Sequence, residues 1–219
     1  MKREEVTARI HEIGIIPSVR VSSAEEAKFA AEAVMRAGIP IAEITMTVPG
    51  AIDVISFLAK TIPQMVVGAG TLMDVETAHR CLDAGARFLT SPGLVVEVVE
   101  FARKHEVAAL PGALTPTEVI AAWKAGADFV KIFPCGQVGG DRYIRALKAP
   151  FPHLPLIASG GVNQQTAGHF ILAGAAAIGV GSELIPREAL HHKQEERIHE
   201  LGRRFLAMVK DARRRMAVH

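Results

Sequence analysis

The chain has 219 residues, 49% hydrophobic and 22% charged, which is enough apolar material for one sizeable core and too much for a disordered chain. Its formal net charge of +2 and the position of the clearest basic cluster, Arg213 to Arg215, at the end of a helical stretch argue against a nucleic-acid partner. No apolar run approaches the ~20 residues of a membrane span, Met1 to Arg9 is charged rather than signal-like, and Cys81 and Cys135 lack disulfide or zinc spacing, so a cytoplasmic protein of one domain, residues 1–219, is expected.

In chain order, short near-continuous apolar runs predict eight strands: Ile15 to Val21, Ile41 to Met46, Met65 to Ala69, Arg87 to Thr90, Val107 to Leu110, Asp128 to Phe133, Leu156 to Ser159 and Ala176 to Val180. Helical stretches separate them. Their start signals are Ser23 with Glu26, Asp74, Thr115 with Pro116 and Glu118 in a capping box, and Asn163. Gly38, Gly85, Gly126 and Gly174 each follow a helical stretch just before a strand, where glycine can adopt the left-handed conformation. They recur at intervals of roughly two βα units, which favours a closed (β/α)₈ barrel over an open doubly wound sheet. Glu195 to Met216 reads as a terminal amphipathic helix, with Ile198, Leu201, Phe205, Met208 and Val209 on its apolar stripe.

In such a barrel, chemistry gathers at the C-terminal ends of the strands. Lys131 stands inside the apolar sixth strand, Val130-Lys131-Ile132, where loss of water around an ammonium favours the neutral, nucleophilic amine. A desolvated amine of that kind can condense with a ketone to form a Schiff base. Glu43, on the second strand, faces Lys131 across the lumen as a candidate acid/base group; a purely structural ion pair between the two is the competing reading. After the seventh and eighth strands, Gly160-Gly161 and Gly181-Ser182 occupy the loops that build phosphate sites in many barrels. Gly68 to Thr71, Ser91 to Gly93 and Pro111-Gly112 form tight strand exits, and Thr71 can present its hydroxyl to a small carboxylate. None of the nine histidines, His219 included, falls at a predicted strand end, and no His-x-His or His-x-x-x-His pair offers a metal shell. Cys135 follows the sixth strand with no histidine near it in sequence, so it is not expected to be a nucleophile.

From Ile15 to Leu184 these pieces follow one another as in a known family. Glu43-Ile44-Thr45, Gly68-Ala69-Gly70-Thr71, Ser91-Pro92-Gly93, Pro111-Gly112, Val130-Lys131-Ile132-Phe133-Pro134, Gly160-Gly161-Val162 and Gly179-Val180-Gly181-Ser182 resemble, as an ordered set, the 2-keto-3-deoxy-6-phosphogluconate (KDPG) and 4-hydroxy-2-oxoglutarate (KHG) aldolases. The resemblance implies a cofactor-free, metal-independent class I aldolase of the Entner–Doudoroff pathway, a homotrimer acting on a small keto acid. It implies Lys131 as Schiff-base nucleophile and Glu43 as general acid/base. Thr71 would contact the pyruvyl carboxylate, and Gly160, Gly161, Gly181 and Ser182 would hold the phosphate. Arg20, Thr47, Pro92, Gly112, Phe133 and Ser159 complete the expected substrate contacts.

Two positions depart from the family pattern. Thr47 stands where some members place a carboxylate-gripping arginine, which leaves Arg20 at the end of the first strand as its candidate replacement. Ser159 stands where many members have a threonine that senses the C4 configuration, so gluconate- and galactonate-derived substrates both remain open. An isomerase or epimerase on a phosphate-binding barrel is the rival enzyme reading.

Overall fold

The computed structural model describes residues 1–218; His219 lies outside the described residues. In chain order it runs α1 (Arg3–Ile13), β1 (Ile15–Val19), α2 (Ala24–Arg36), β2 (Ile41–Thr45), α3 (Ala51–Thr61), β3 (Val66–Gly70), α4 (Val75–Asp83), β4 (Phe88–Thr90) and α5 (Val96–Lys104). It continues with β5 (Ala108–Leu110), β6 (Gly112–Ala113), α6 (Pro116–Ala125), β7 (Val130–Ile132), a 3-10 turn at Cys135–Val138, α7 (Asp141–Lys148) and β8 (Leu156–Ser159). The last elements are α8 (Ala167–Leu172), β9 (Ala177–Val180), α9 (Arg187–His191) and α10 (Glu195–Ala217).

All strand pairs are parallel, in the order β5-β4-β3-β2-β1-β9-β8-β7-β6. Because β5 and β6 are consecutive in the chain, the two ends of this order meet and the sheet closes into the expected barrel. Nine strands replace the predicted eight because pairing resumes beyond Pro111, past the predicted end of the fifth at Leu110. Ala108 to Leu110 pair with β4, whereas Gly112 and Ala113 pair with β7. Proline has no N–H to contribute to a ladder, and its carbonyl carries the closure instead, accepting from the Lys131 N–H at 2.9 Å. The sixth predicted strand is shorter than expected. Asp128 is drawn out of it: its carboxylate accepts the Ala109 N–H at 2.9 Å and pairs with Arg3 at 2.7 Å.

Ser23, Asp74 and Thr115 cap their helices as expected, and Thr115 forms the capping box with Glu118. Asn163 acts one turn early: its side chain holds the Gln165 and Thr166 N–H groups in a turn that leads into α8. Gly38, Gly85, Gly126 and Gly174 all have φ between 91° and 107°, the left-handed geometry expected of them. The terminal helix buries Ile198, Leu201, Phe205 and Val209, each contributing about 2 kcal/mol. Met208 is only half-buried. Gly202 lets α10 approach Ala37 so closely that any side chain there would collide.

No element was expected before Ile15, yet α1 lies there. Its apolar signal is sparse, with only Val6 and Ile10 buried, so periodicity alone does not reveal it. Contacts to the start of the barrel hold it in place. Arg3 pairs with Asp128, and the His11 ring lies 4.6 Å from that of Phe129. Arg213, on α10, donates to the carbonyls of His11 and Glu12 at 2.6 Å and of Ala176 at 3.0 Å.

Candidate active site

Strand alternation aims Lys131 into the lumen, because its neighbours Val130 and Ile132 are fully buried on the helix-facing side. Its Nζ lies 3.6 Å from Glu43 Oε1, and the two side chains are 13% and 4% exposed. Phe133, two residues on, shares the orientation, and the Lys131 ammonium lies 5.6 Å from its ring centroid. The predicted pair across the lumen is therefore present.

Glu43 is held at both oxygens. Ser18 on β1, in register beside it, donates to Oε1 at 3.1 Å, and Thr90 on β4 donates to Oε2 at 3.2 Å. To reach Thr90, the carboxylate crosses β3 over Gly70, where a Cβ would overlap its Oε1, Cδ and Cγ atoms. Among the described residues, no buried side-chain nitrogen or oxygen is left without a hydrogen-bond partner. The arrangement sets a lysine amine 3.6 Å from an oxygen of an oriented carboxylate.

Lys131 opens onto a cavity of about 500 Å³ at the C-terminal ends of the strands. Arg20, Thr71, Pro92, Phe133, Ser159, Gly160, Gly161, Gly181 and Ser182 also line it, so nine further predicted site residues converge. On one side, Arg20 Nη2 donates to Thr71 Oγ1 at 3.2 Å. Thr71 has φ +63°, a left-handed conformation that costs a non-glycine residue about 1–3 kcal/mol and is concentrated at binding sites. On the other side, Gly160 and Gly161 have φ of 83° and 79°, and the Gly136 N–H donates to the Gly160 carbonyl at 2.8 Å. The close passage of Gly136 excludes a side chain at Gly161.

Two expected substrate contacts lie off the cavity wall. Thr47 is exposed beyond the end of β2 and shares a 2.8 Å hydrogen bond with the Thr45 hydroxyl. Gly112 is buried against the Pro92 carbonyl, where a Cβ would overlap backbone. The missing side chain lets β6 pass against the loop at Pro92 and Gly93. Sequence reading missed Ser18, Thr90 and the cavity residues Glu183 and Arg187. Ser18 was detectable as the single hydroxyl in an apolar strand, two residues before Arg20 and so on the same face. Thr90 is a common strand residue, and nothing in the sequence places it beside Glu43.

Cys135 is buried, and burial pushes its thiol up to about 12; Cys81 is likewise pushed up to about 11. Burial disfavours the thiolate form of both. Treatment of the native protein with iodoacetamide at pH 8 is expected to leave both unlabelled by mass spectrometry, and labelling should follow only after denaturation. Rapid native labelling of Cys135 would show that its thiol is accessible and reactive.

The family model for KDPG and KHG aldolase matches residues 6–201. The KHG/KDPG aldolase of Escherichia coli K12 is 30% identical over 190 residues, 86% of this chain and 89% of that protein. A 2-dehydro-3-deoxy-phosphogluconate aldolase of Pseudomonas aeruginosa is 27% identical over 96% of this chain and 98% of its own. Among solved structures, the KDPG aldolase of Legionella pneumophila, with pyruvate captured at low pH as a covalent carbinolamine intermediate, superposes with a TM-score of 0.83. It is 30% identical and covers 90% of this chain and 96% of that one. With a lumen lysine, a facing carboxylate and this extent of match, the chain belongs to the KDPG and KHG aldolase family.

Proposed function

We propose that the protein is a class I aldolase that cleaves 2-keto-3-deoxy-6-phosphogluconate to pyruvate and glyceraldehyde 3-phosphate, and 4-hydroxy-2-oxoglutarate to pyruvate and glyoxylate. The observation that carries this reading is the placement of Lys131 Nζ on the cavity wall, 3.6 Å from Glu43 Oε1. The lysine adds to the C2 carbonyl, and loss of water gives a protonated imine. Departure of the C4 hydroxyl proton then breaks the C3–C4 bond; its electron pair becomes the C2=C3 bond of an enamine, and the iminium pair returns to nitrogen. Protonation at C3 and hydrolysis release pyruvate and regenerate the amine. Glu43 accepts and returns the protons. The isomerase reading leaves the lysine without a role.

Substrate contacts follow from the two sides of the cavity. Arg20 with Thr71 is assigned the pyruvyl carboxylate, and Gly160, Gly161, Gly181 and Ser182 the phosphate, with Pro92, Phe133 and Ser159 lining the middle. Changing Arg20 to Gln is expected to raise KM for the keto acid about tenfold while kcat changes little, because a charge-assisted contact to the carboxylate would be lost in ground and transition states alike. Steady-state kinetics checks this. An unchanged KM would remove Arg20 from the carboxylate site.

The assembly is proposed to be a homotrimer of one-domain chains. Apolar Met73, Val75 and Val96 are exposed around the starts of α4 and α5 and offer a surface for it. Two unpaired buried cysteines suit a reducing cytoplasm. The decisive test of the reaction is borohydride reduction in the presence of pyruvate. A mass increase on the Lys131 peptide supports the Schiff base, and an unmodified peptide refutes it.

A further inference from the structure

Glu43 is set back from the space in which substrate must bind. Its side chain is 4% exposed and does not line the cavity. Two groups both touch Glu43 Oε1 and form part of the wall: Lys131, at 3.6 Å, and Ser18, whose hydroxyl donates to it at 3.1 Å. Once Lys131 is bonded to substrate as an imine, its nitrogen is committed. Ser18 is then the remaining protic side chain between the buried carboxylate and the bound molecule. Thr90 holds the far oxygen but is not on the wall, so it can orient Glu43 without meeting substrate.

We propose that Ser18 is a further catalytic residue, a hydroxyl relay that carries protons between substrate and Glu43. This rests on the aldolase reading above. In the cleavage direction the C4 hydroxyl O–H bond breaks and its proton joins Ser18 Oγ. The Ser18 O–H bond breaks in the same movement, and that proton joins Glu43 Oε1. The C4 oxygen becomes the aldehyde carbonyl as the C3–C4 pair moves to C2=C3 and the iminium pair to nitrogen. Serine ends as it began, and Glu43 ends protonated. The reverse movement returns a proton to the enamine carbon. Register supports the assignment: Ser18 pairs with Glu43 across the β1–β2 ladder, so two strands fix the donor and acceptor rather than a loop.

The test compares the native enzyme with Ser18→Ala and Ser18→Thr. The measurements are kcat, KM, uptake of solvent deuterium into the pyruvate methyl group, and borohydride trapping with pyruvate, with thermal melting to confirm the fold. Ser18→Ala is expected to slow kcat and deuterium uptake by about tenfold or more, with KM little changed and the trapped lysine still formed. Ser18→Thr, which keeps the hydroxyl, should recover most of both rates. Deuterium uptake by Ser18→Ala within twofold of native overturns the relay, as does a Thr variant no faster than Ala. If native enzyme is not trapped at all, the Schiff-base reading falls first, and this proposal falls with it.

Discussion

Replacing Lys131 by methionine is expected to eliminate turnover, lowering kcat by on the order of 10⁴-fold or more, the scale seen when a covalent nucleophile is removed from an intact site. Methionine keeps the length and the apolar stem, so the packing against Phe133 is largely retained, and only the nitrogen is lost. Glu43 would then face the lumen without its cationic partner, but Ser18 and Thr90 still donate to its oxygens. Breaking one side of a buried ion pair is costly in general, and those two hydroxyls limit the damage here. The variant should therefore fold and melt cooperatively while forming no borohydride adduct with pyruvate. Turnover at a native-like rate would show that Lys131 and Glu43 are a structural pair and that the nucleophile lies elsewhere.

Gly70→Ala is expected to lower kcat on the order of 10²-fold without touching Lys131, the scale of a lost general acid/base. A methyl group at this position overlaps the Glu43 carboxylate and its γ carbon, so the side chain has to leave its path over β3. Its bonds to Ser18 and Thr90 cannot both survive that displacement. Overpacking a full site typically costs about 1–3 kcal/mol, so a lower melting temperature should accompany the kinetic loss. Lys131 keeps its place on β7, and borohydride with pyruvate should still label it, though more slowly. The combination of retained labelling and lost turnover separates this variant from Lys131→Met. A kcat within twofold of native would mean that the carboxylate works equally well from another position.

The barrel and its lumen-facing lysine were legible because both rest on local pattern. Apolar runs too short for helices mark the strands, the four glycines mark the helix ends, and a charged residue between Val130 and Ile132 has nowhere to point but inward. Glu43 was legible for the same reason. The support of Glu43 was not. Thr90 is distant in sequence and meets it only because β3 is bare at Gly70, so the contact depends on the size of a third residue. Thr47 was expected among the substrate contacts, at the position where some family members carry an arginine. Its shorter side chain stays outside, bonded to Thr45, and Arg20 reaches the cavity from β1 instead. Residues 3–13 illustrate another limit. A helix that buries two side chains and is held largely by Asp128 and Arg213 carries little amphipathic signature of its own.

The guanidinium of Arg213 gathers the carbonyls of His11, Glu12 and Ala176, which stand where β1 and β9 begin. That knots the first and last helices together beneath the floor of the barrel, at the pole opposite the cavity. A tag, a surface anchor or a fused carrier attached at either end would hang from the underside, leaving the entrance unobstructed for small molecules to come and go.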